Sequence, residues 1–163
     1  MDINPDFSDL LKSLNRANAR YIIVGAQAVI YHADPRYTKD MDVWVEATPE
    51  NAERVYSALK AFGAPLAGLT TADLSNPNMV YRMGIEPNCI DIMMGIDGAT
   101  FASAWRNRVR GAYGQVPASI LGINDLIRAK RAAGRPQDLL DVTRLLKAKR
   151  LRGRRRRPKR GES

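Results

Sequence analysis

The chain has 163 residues, of which 45% are hydrophobic and 26% charged, and a net charge of +9, a balance typical of one soluble globular domain. Its longest nearly uncharged apolar run, from Tyr21 to Tyr31, is shorter than the ~20 residues that a membrane-spanning helix needs. One cysteine, Cys89, and one histidine, His32, exclude an intrachain disulfide and metal centres built on several thiolates or histidines. We therefore expect a cytoplasmic protein that binds no membrane and whose metal, if any, is a hard cation such as Mg²⁺.

The apolar pattern predicts alternating helices and strands along the chain. Residues spaced as on one helix face, together with proline, threonine and glycine boundary signals, predict helices over residues 5–17, 26–32, 49–62, 100–107, 123–133 and 136–149. Runs of β-branched residues or of period two predict strands over residues 21–24, 40–45, 79–83 and 89–94, and a strand pair within residues 109–117. This order indicates an α/β (α+β) fold, with a mixed twisted sheet of about four or five strands covered by helices.

The positive charge is concentrated at the C-terminus. Residues 144–163 carry 11 basic side chains and one acidic one, whereas the rest of the chain holds 15 basic and 16 acidic groups. Because the arginine run repels itself and buries no apolar surface, we expect residues 150–163 to be a disordered tail or the frayed end of a helix. The folded domain would then span residues 1–149. Such a tail either attracts the phosphates of RNA or is only a solubilising terminus.

Three aspartates lie on predicted strands that are otherwise apolar. The alternation of residues 40–45 places Asp40 and Asp42 on one face, and Asp91 interrupts the apolar strand over residues 89–94. A buried carboxylate is costly unless it is paired, so these charges need partners. One interpretation is a network of ion pairs with Arg36 and Lys39. The other is a divalent cation, which would relieve the mutual repulsion of the three carboxylates and suit phosphoryl or nucleotidyl transfer.

A glycine turn joins the first predicted strand to the helix that follows. Gly25 and Ala26 are small, so phosphate oxygens could approach the free backbone N–H groups at the positive end of that helix. A turn glycine that binds no ligand would look the same, and the glycine alone does not decide between the two.

These features together resemble the signature of the nucleotidyltransferase superfamily, with its polymerase-beta-like fold, in which a glycine turn precedes an Asp-x-Asp strand. The resemblance covers about residues 20–142 and is strongest for a small bacterial subgroup that includes AbiEii-type and MenT-type toxins of toxin–antitoxin systems. It is carried by Val24-Gly25-Ala26-Gln27-Ala28-Val29, His32, Arg36, Thr38, Asp40-Met41-Asp42, Ile90-Asp91-Ile92, Lys130 and Arg135-Pro136-Gln137-Asp138-Leu139-Leu140-Asp141.

The resemblance implies a role for each matching residue. Asp40, Asp42 and Asp91 would be the catalytic carboxylates and would bind Mg²⁺, with two ions when an NTP is bound, and Asp91 would also act as base toward the acceptor hydroxyl. Gly25 and Ala26 would contact the β- and γ-phosphates, although Ala26 replaces the usual second glycine or serine.

Two basic residues are candidates for contact with the triphosphate. Lys130 is the first and Arg36 the second. The alternatives are a solvated helix face for Lys130 and a salt bridge to Asp40 or Asp42 for Arg36. Asp138 and Asp141 share a helix face, and we expect them to pair with nearby basic residues or to hold Lys130 in place.

The sequence therefore predicts a Mg²⁺-dependent nucleotidyltransferase that moves a nucleoside monophosphate from an NTP to an acceptor hydroxyl. The basic tail favours RNA as the acceptor, and the resemblance implies a tRNA end, a toxin–antitoxin role, and a cognate antitoxin or a second copy of the chain as partner. The alternative is a catalytically inactive nucleotide- or RNA-binding module with the same fold. Catalysis by Cys89 and His32 is disfavoured because nothing in the sequence lowers the pKa of the thiol.

Overall fold

The computed structural model describes residues 3–35, 38–84 and 88–156. Within these ranges there are six α-helices, six strands and one 3₁₀ turn at Asp73–Ser75. The helices are α1 (Pro5–Arg16), α2 (Gly25–His32), α3 (Pro49–Phe62), α4 (Phe101–Arg106), α5 (Ile123–Ala133) and α6 (Pro136–Arg156). The strands are β1 (Tyr21–Val24), β2 (Met41–Val45), β3 (Val80–Met83), β4 (Ile90–Met93), β5 (Val109–Tyr113) and β6 (Val116–Ile120).

The strands of the described chain form one mixed sheet in the order β3-β4-β2-β1-β6-β5. β2 runs parallel to β4, and β1 runs parallel to β6, while the other neighbouring pairs are antiparallel. The predicted mixed sheet covered by helices is confirmed, with six strands in place of about four or five. β2 and β1 lie at the centre of the sheet, and the two predicted functional segments therefore lie side by side.

The strand pair predicted within residues 109–117 is present as β5 and β6, but it runs past the predicted end at Pro117. Proline removes a backbone hydrogen-bond donor from a sheet. In the structure β6 continues through this proline to Ile120. β6 pairs with the central strand β1 only at Ile120, which lies opposite Ile23. Pro117 pairs with Ala112 of the edge strand β5, so its missing N–H takes no hydrogen bond away from the pairing of β6 with β1. Proline is tolerated there as it is on an edge strand.

The core fills the space between the sheet and two groups of helices. α1 packs against α3, while α2 packs on β1 and β2 and is contacted by α5 and α6. The apolar face predicted for α1 is fully buried at Leu10, Leu11 and Leu14, and each such leucine contributes about 2 kcal/mol of apolar burial. This packing holds the ends of β1 and β2 rigidly relative to α5.

Helix boundaries follow the capping signals in the sequence. The Thr48 side chain accepts a hydrogen bond from the Asn51 backbone N–H at 3.2 Å, and Thr100 caps α4 in the same way through Ser103. Such a cap contributes about 1 kcal/mol to helix stability. The predicted starts of α3 and α4 therefore agree with the structure.

α6 is longer than the sequence predicts. It extends to Arg156, so residues 150–156 form exposed helical turns, and residues 157–163 lie outside the described part of the chain. The Arg152 guanidinium donates a hydrogen bond to the His32 carbonyl at 3.1 Å and so ties the helix to the end of α2. No described helix combines the length and the apolar character needed to cross a membrane.

Candidate active site

A cavity of about 1270 Å³ opens over the carboxyl end of β1 and one face of β2. Its walls are formed by the turn into α2, the loop after β4, and the facing parts of α5 and α6. The predicted site residues that line it are Gly25, Ala26, Asp40, Asp42 and Lys130. Three segments that are distant in sequence therefore face one space.

Gly25 is packed directly against the Asp42 carboxylate. Val24 is the register partner of Asp42 on the neighbouring strand, so the turn begins beside this aspartate. Gly25 has a φ of +63°, and a Cβ built at this position would overlap the Asp42 Oδ2 atom. Both conditions require glycine. The glycine is thus needed for the close approach of the α2 N-terminus to a carboxylate, and phosphate binding by this turn stays a prediction.

Asp42 is the electrostatic centre of the site. Burial raises the pKa of the Asp42 carboxyl group to about 6, and repulsion from Asp91 and Asp40 adds to the shift. Lys130 and Arg82 act in the opposite direction but do not cancel it. A carboxylate in this position is short of positive charge, so a cation beside it would be favourable.

Asp91 lies next to Asp42 but is held by an arginine. The parallel register pairs Asp91 with Asp42 across β2 and β4, one strand spacing of about 4.8 Å apart. On its other side Arg82 of β3 donates from Nε to Oδ1 at 2.8 Å and from Nη2 to Oδ2 at 3.0 Å. The sequence interpretation does not include Arg82. An alternating hairpin strand places it opposite Asp91 only once the β3–β4 register is known.

Asp40 differs from its predicted position on the strand. β2 begins at Met41, so Asp40 lies just before the strand and is exposed, and its backbone N–H donates a hydrogen bond to the Thr38 hydroxyl oxygen at 3.3 Å. Its side chain still lines the cavity with that of Asp42. In the residues that the structure describes, no three His, Cys, Asp or Glu side chains are grouped closely enough to hold a metal ion.

Asp40 and Asp42 nevertheless have the chemistry that suits Mg²⁺. Their ligand atoms are carboxylate oxygens, burial and repulsion from Asp91 and Asp40 raise the pKa of Asp42, and the cavity beside them has room for phosphates. Mg²⁺ in nucleotide enzymes is commonly bound by one or two carboxylates, with the substrate phosphates and water filling the remaining positions. The pair therefore fits a divalent cation whose other ligands are water and nucleotide phosphates.

Lys130 extends from α5 into the cavity wall, where two buried aspartates fix it. Its Nζ lies 3.1 Å from Asp138 Oδ1 and 3.1 Å from Asp141 Oδ2, and only 11% of its side chain is exposed. The predicted pairing of these aspartates with Lys130 is confirmed, and the alternative of a solvated helix face is wrong.

The start of α6 completes this ion network. Arg135 donates from Nε to Asp138 Oδ2 at 2.7 Å, and Gln137 donates to Asp141 at 3.1 Å. Burial acts to raise the pKa of Asp138, but hydrogen bonds from Arg135 and Lys130 outweigh it and hold that pKa below its ordinary value. Asp138 is thus held in its ionised form, and the two aspartates together fix the cationic Lys130 side chain in the cavity wall.

The far end of the cavity is apolar and aromatic. Trp44 follows Asp42 on the same face of β2, and its register partner Met93 follows Asp91 on β4. The Phe101 ring meets the Trp44 indole edge-on with centroids 5.2 Å apart. The period-two pattern of β2 places Trp44 beside Asp42, whereas the contribution of Phe101 depends on the fold.

The remaining predicted residues have other surroundings. His32 is buried with its Nε2 2.7 Å from the Leu121 carbonyl oxygen, and burial lowers its pKa. This environment is that of a packed histidine at a helix end, as the sequence favours. Cys89 is buried next to β4. Arg36 lies outside the described residues, so its role remains a prediction.

Comparisons with known proteins agree with this geometry. Residues 1–151 match the protein family described as "Nucleotidyltransferase of unknown function (DUF6036)". No curated protein matches the chain. Among solved structures, the fold is similar to that of the lincosamide antibiotic adenylyltransferase LnuA, solved with lincomycin bound, at a TM-score of 0.58 and 12% identity. The match covers 91% of this chain and 99% of LnuA, so the two share a fold over almost their whole length.

Proposed function

Because the chain belongs to this nucleotidyltransferase family, we propose that it transfers a nucleoside monophosphate from an NTP to an acceptor hydroxyl in a reaction that requires Mg²⁺. The observation that carries the proposal is the glycine turn packed on Asp42 in a cavity that Lys130 also lines. This arrangement provides backbone donors, a carboxylate and an ammonium group for one triphosphate.

The triphosphate would lie between the start of α2 and Lys130. α2 has no side-chain cap, so the N–H groups of Gly25 and Ala26 are offered to a ligand together with the positive end of the helix. Lys130 would contact the phosphates from α5, oriented by Asp138 and Asp141. Arg36 is proposed as a further phosphate contact on the sequence resemblance alone.

Asp40 and Asp42 would hold the divalent cation. When bound, Mg²⁺ neutralises triphosphate charge and favours departure of pyrophosphate. Binding also removes the repulsion that raises the pKa of Asp42. The second ion of the sequence prediction would come with the nucleotide, because the free donor set is small.

The transfer forms one bond and breaks another. The acceptor hydroxyl oxygen attacks the α-phosphorus, the bond from that phosphorus to the oxygen that bridges it to the β-phosphorus breaks, and pyrophosphate leaves with the electron pair. Asp91 would accept the hydroxyl proton. Its two bonds to Arg82 use two of the roughly four lone-pair positions of a carboxylate, so acceptor capacity remains.

RNA is the acceptor class that we propose, and a tRNA end, a toxin role and a cognate antitoxin remain hypotheses that rest on the resemblance. The last two turns of α6 carry Arg150, Arg152, Arg154, Arg155 and Arg156, all exposed and without an acidic neighbour in that segment. Their positions go round the helix, so no apolar face is left for a protein partner or a lipid surface. Asp138, which faces the cavity, lies about 24 Å along the same helix from Arg154. A polyanion bound to this helix end could therefore extend to the cavity.

RNA binding is tested by salt dependence. Replacing Arg150, Arg154 and Arg155 with serine should lower the slope of log affinity against log salt by about 2 to 3, because each phosphate contact contributes about 0.7 to 0.9. The control replaces three exposed basic residues on α1 and α3, namely Lys12, Arg54 and Lys60. Equal changes of this slope in the two triple variants would contradict RNA binding at this helix end. So would a small-molecule acceptor that both variants modify at the same rate.

One observation favours the inactive-module alternative, in which the fold binds a nucleotide or RNA without catalysis. Asp91 has both carboxylate oxygens engaged by Arg82, and the described carboxylates form no three-ligand cluster. The two hypotheses differ in how NTP binding depends on metal. An active site should bind NTP with Mg²⁺ at least tenfold more tightly than without it, and Asp42→Ala should abolish that difference; a plain binding module should show neither effect. Calorimetric titration of the full chain with each NTP measures both.

A further inference from the structure

Arg82 and Asp91 form a two-point ion pair beside the proposed cation site. They are register partners on the antiparallel strands β3 and β4, and the guanidinium contacts both carboxylate oxygens at 2.8 and 3.0 Å. A pair with two parallel hydrogen bonds is stronger and more directional than a single contact. The geometry therefore fixes the plane of the Asp91 carboxylate.

The two partners differ in exposure. The Arg82 side chain is 59% exposed at the edge of the sheet, whereas that of Asp91, on the strand next to the one that carries Asp42, is only 17% exposed. The hydrogen bonds to Asp91 also raise the pKa of Arg82. Since the guanidinium reaches Asp91 from solvent, its removal leaves the packing of the sheet intact.

The three carboxylates of the site are consequently not equivalent. Asp40 and Asp42 line the cavity, and Asp91 is absent from the cavity wall in the described structure. The negative charge of Asp91 already has a cation at ion-pair distance, whereas Asp42 faces the open cavity. A divalent cation therefore gains most from Asp42 and least from Asp91.

We propose that Arg82 is a positioning residue that withholds Asp91 from the divalent cation, so that Asp40 and Asp42 bind the ion in the free protein and Asp91 is kept for the acceptor. This inference rests on the proposed function in taking Asp40 and Asp42 as the cation ligands. It differs from the sequence prediction, in which all three aspartates bind the metal. It also gives an exposed arginine on an edge strand a role in the site.

The test measures Mn²⁺ binding to the full chain at pH 8 in the absence of nucleotide, with electron paramagnetic resonance as the readout. Arg82→Gln should bind Mn²⁺ about tenfold more tightly than the wild type, because the freed Asp91 joins the ligand set. Asp91→Asn should stay within about twofold of the wild type, and the Arg82→Gln, Asp91→Asn double variant should return to that level. The Mn²⁺ affinity of Arg82→Lys should lie between those of the wild type and Arg82→Gln, since lysine keeps the charge and loses the two-point geometry.

Arg110→Gln is the matched control. Arg110 is an exposed arginine on β5, the opposite edge strand, so the variant loses the same charge far from Asp91. The proposal is overturned if Arg82→Gln changes Mn²⁺ affinity no more than Arg110→Gln does, or if Asp91→Asn weakens binding tenfold. If the wild type shows no Mn²⁺ affinity that depends on Asp42, the proposed function fails with it, and the Asp42→Ala variant identifies that case.

Turnover gives a second readout. Because Arg82 does not line the donor cavity, Arg82→Gln should lower kcat for transfer and leave the KM for NTP within about twofold, with partial recovery in Arg82→Lys. A rise in the KM for NTP as large as the fall in kcat would instead make Arg82 a donor-binding residue and contradict the proposal.

Discussion

The Cα of Gly25 faces the Asp42 carboxylate so closely that the structure leaves no room for a β-carbon between them. The backbone of Gly25 is also left-handed, with a φ of +63°. The turn from β1 into α2 and the second aspartate of the Asp-x-Asp strand are therefore one structural unit, in which each fixes the position of the other.

Gly25→Ala should damage the site more than the fold. The left-handed backbone costs about 1 kcal/mol for alanine, while the new methyl group displaces the Asp42 carboxylate and should weaken Mg²⁺-dependent NTP binding by on the order of tenfold or more. Gly68→Ala is the control, because Gly68 has a φ of +78° with open space around it. Thermal unfolding and calorimetry compare the two variants. NTP binding by Gly25→Ala equal to that of Gly68→Ala would contradict this account.

The raised pKa of Asp42 makes stability depend on pH in the absence of metal. The folded-state pKa of about 6 lies above the ordinary value of 3.8, so the folded state binds the proton more tightly. The stability contribution of protonated Asp42 is complete below pH 3.8 and is lost as the pH rises through 6, by up to about 3 kcal/mol.

The isosteric variant Asp42→Asn isolates this effect from the other carboxylates. At pH 7 without metal it should have a larger free energy of unfolding than the wild type, and the advantage should shrink as the pH falls toward 4. Urea unfolding at the two pH values measures the difference. If the free energy of unfolding of Asp42→Asn exceeds that of the wild type by the same amount at both pH values, the ionised form of Asp42 is not destabilising.

Lys130 should contribute to stability as well as to the site. Lys130→Met removes a cation 3.1 Å from the fully buried Asp141 carboxylate, and breaking a buried ion pair typically costs about 3 kcal/mol. Adding Asp141→Asn should recover most of that loss, because the buried charge is then also removed.

NTP binding separates the two roles of Lys130. In the Lys130→Met, Asp141→Asn double variant we expect recovered stability together with weak NTP binding, since the cation itself is absent. Full recovery of NTP binding would mean that Lys130 serves the fold alone, and a double variant as unstable as the single one would show that the ion pair is not the cause of the loss.

Much of the site follows from local sequence pattern. Alternation on β2 places Asp42 and Trp44 on one face, and helical spacing places Asp138 and Asp141 on one face of α6. Each of these needs only the period of its own element. The mixed sheet follows from the order of helices and strands in the same way.

What the sequence does not predict depends on register between elements. Arg82 becomes a partner of Asp91 only through the pairing of β3 with β4, and Asp40 leaves its strand because β2 begins one residue later. The need for glycine at position 25 arises from the distance between two strands' ends. Such long-range relations are set by packing, to which a residue's neighbours in the chain give no guide.

Nucleotidyl transfer itself is tested most directly with labelled donors. The protein is incubated with each α-³²P-labelled NTP, Mg²⁺ and total cellular RNA, beside an Asp40→Ala, Asp42→Ala variant and an Asp9→Ala, Glu53→Ala control that changes exposed carboxylates on α1 and α3. We predict label in RNA with at least one NTP, retained by the control and lost in the Asp40→Ala, Asp42→Ala variant. Folded protein that transfers no label to RNA, protein or small molecules with any NTP, or equal labelling by both variants, would contradict the central claim.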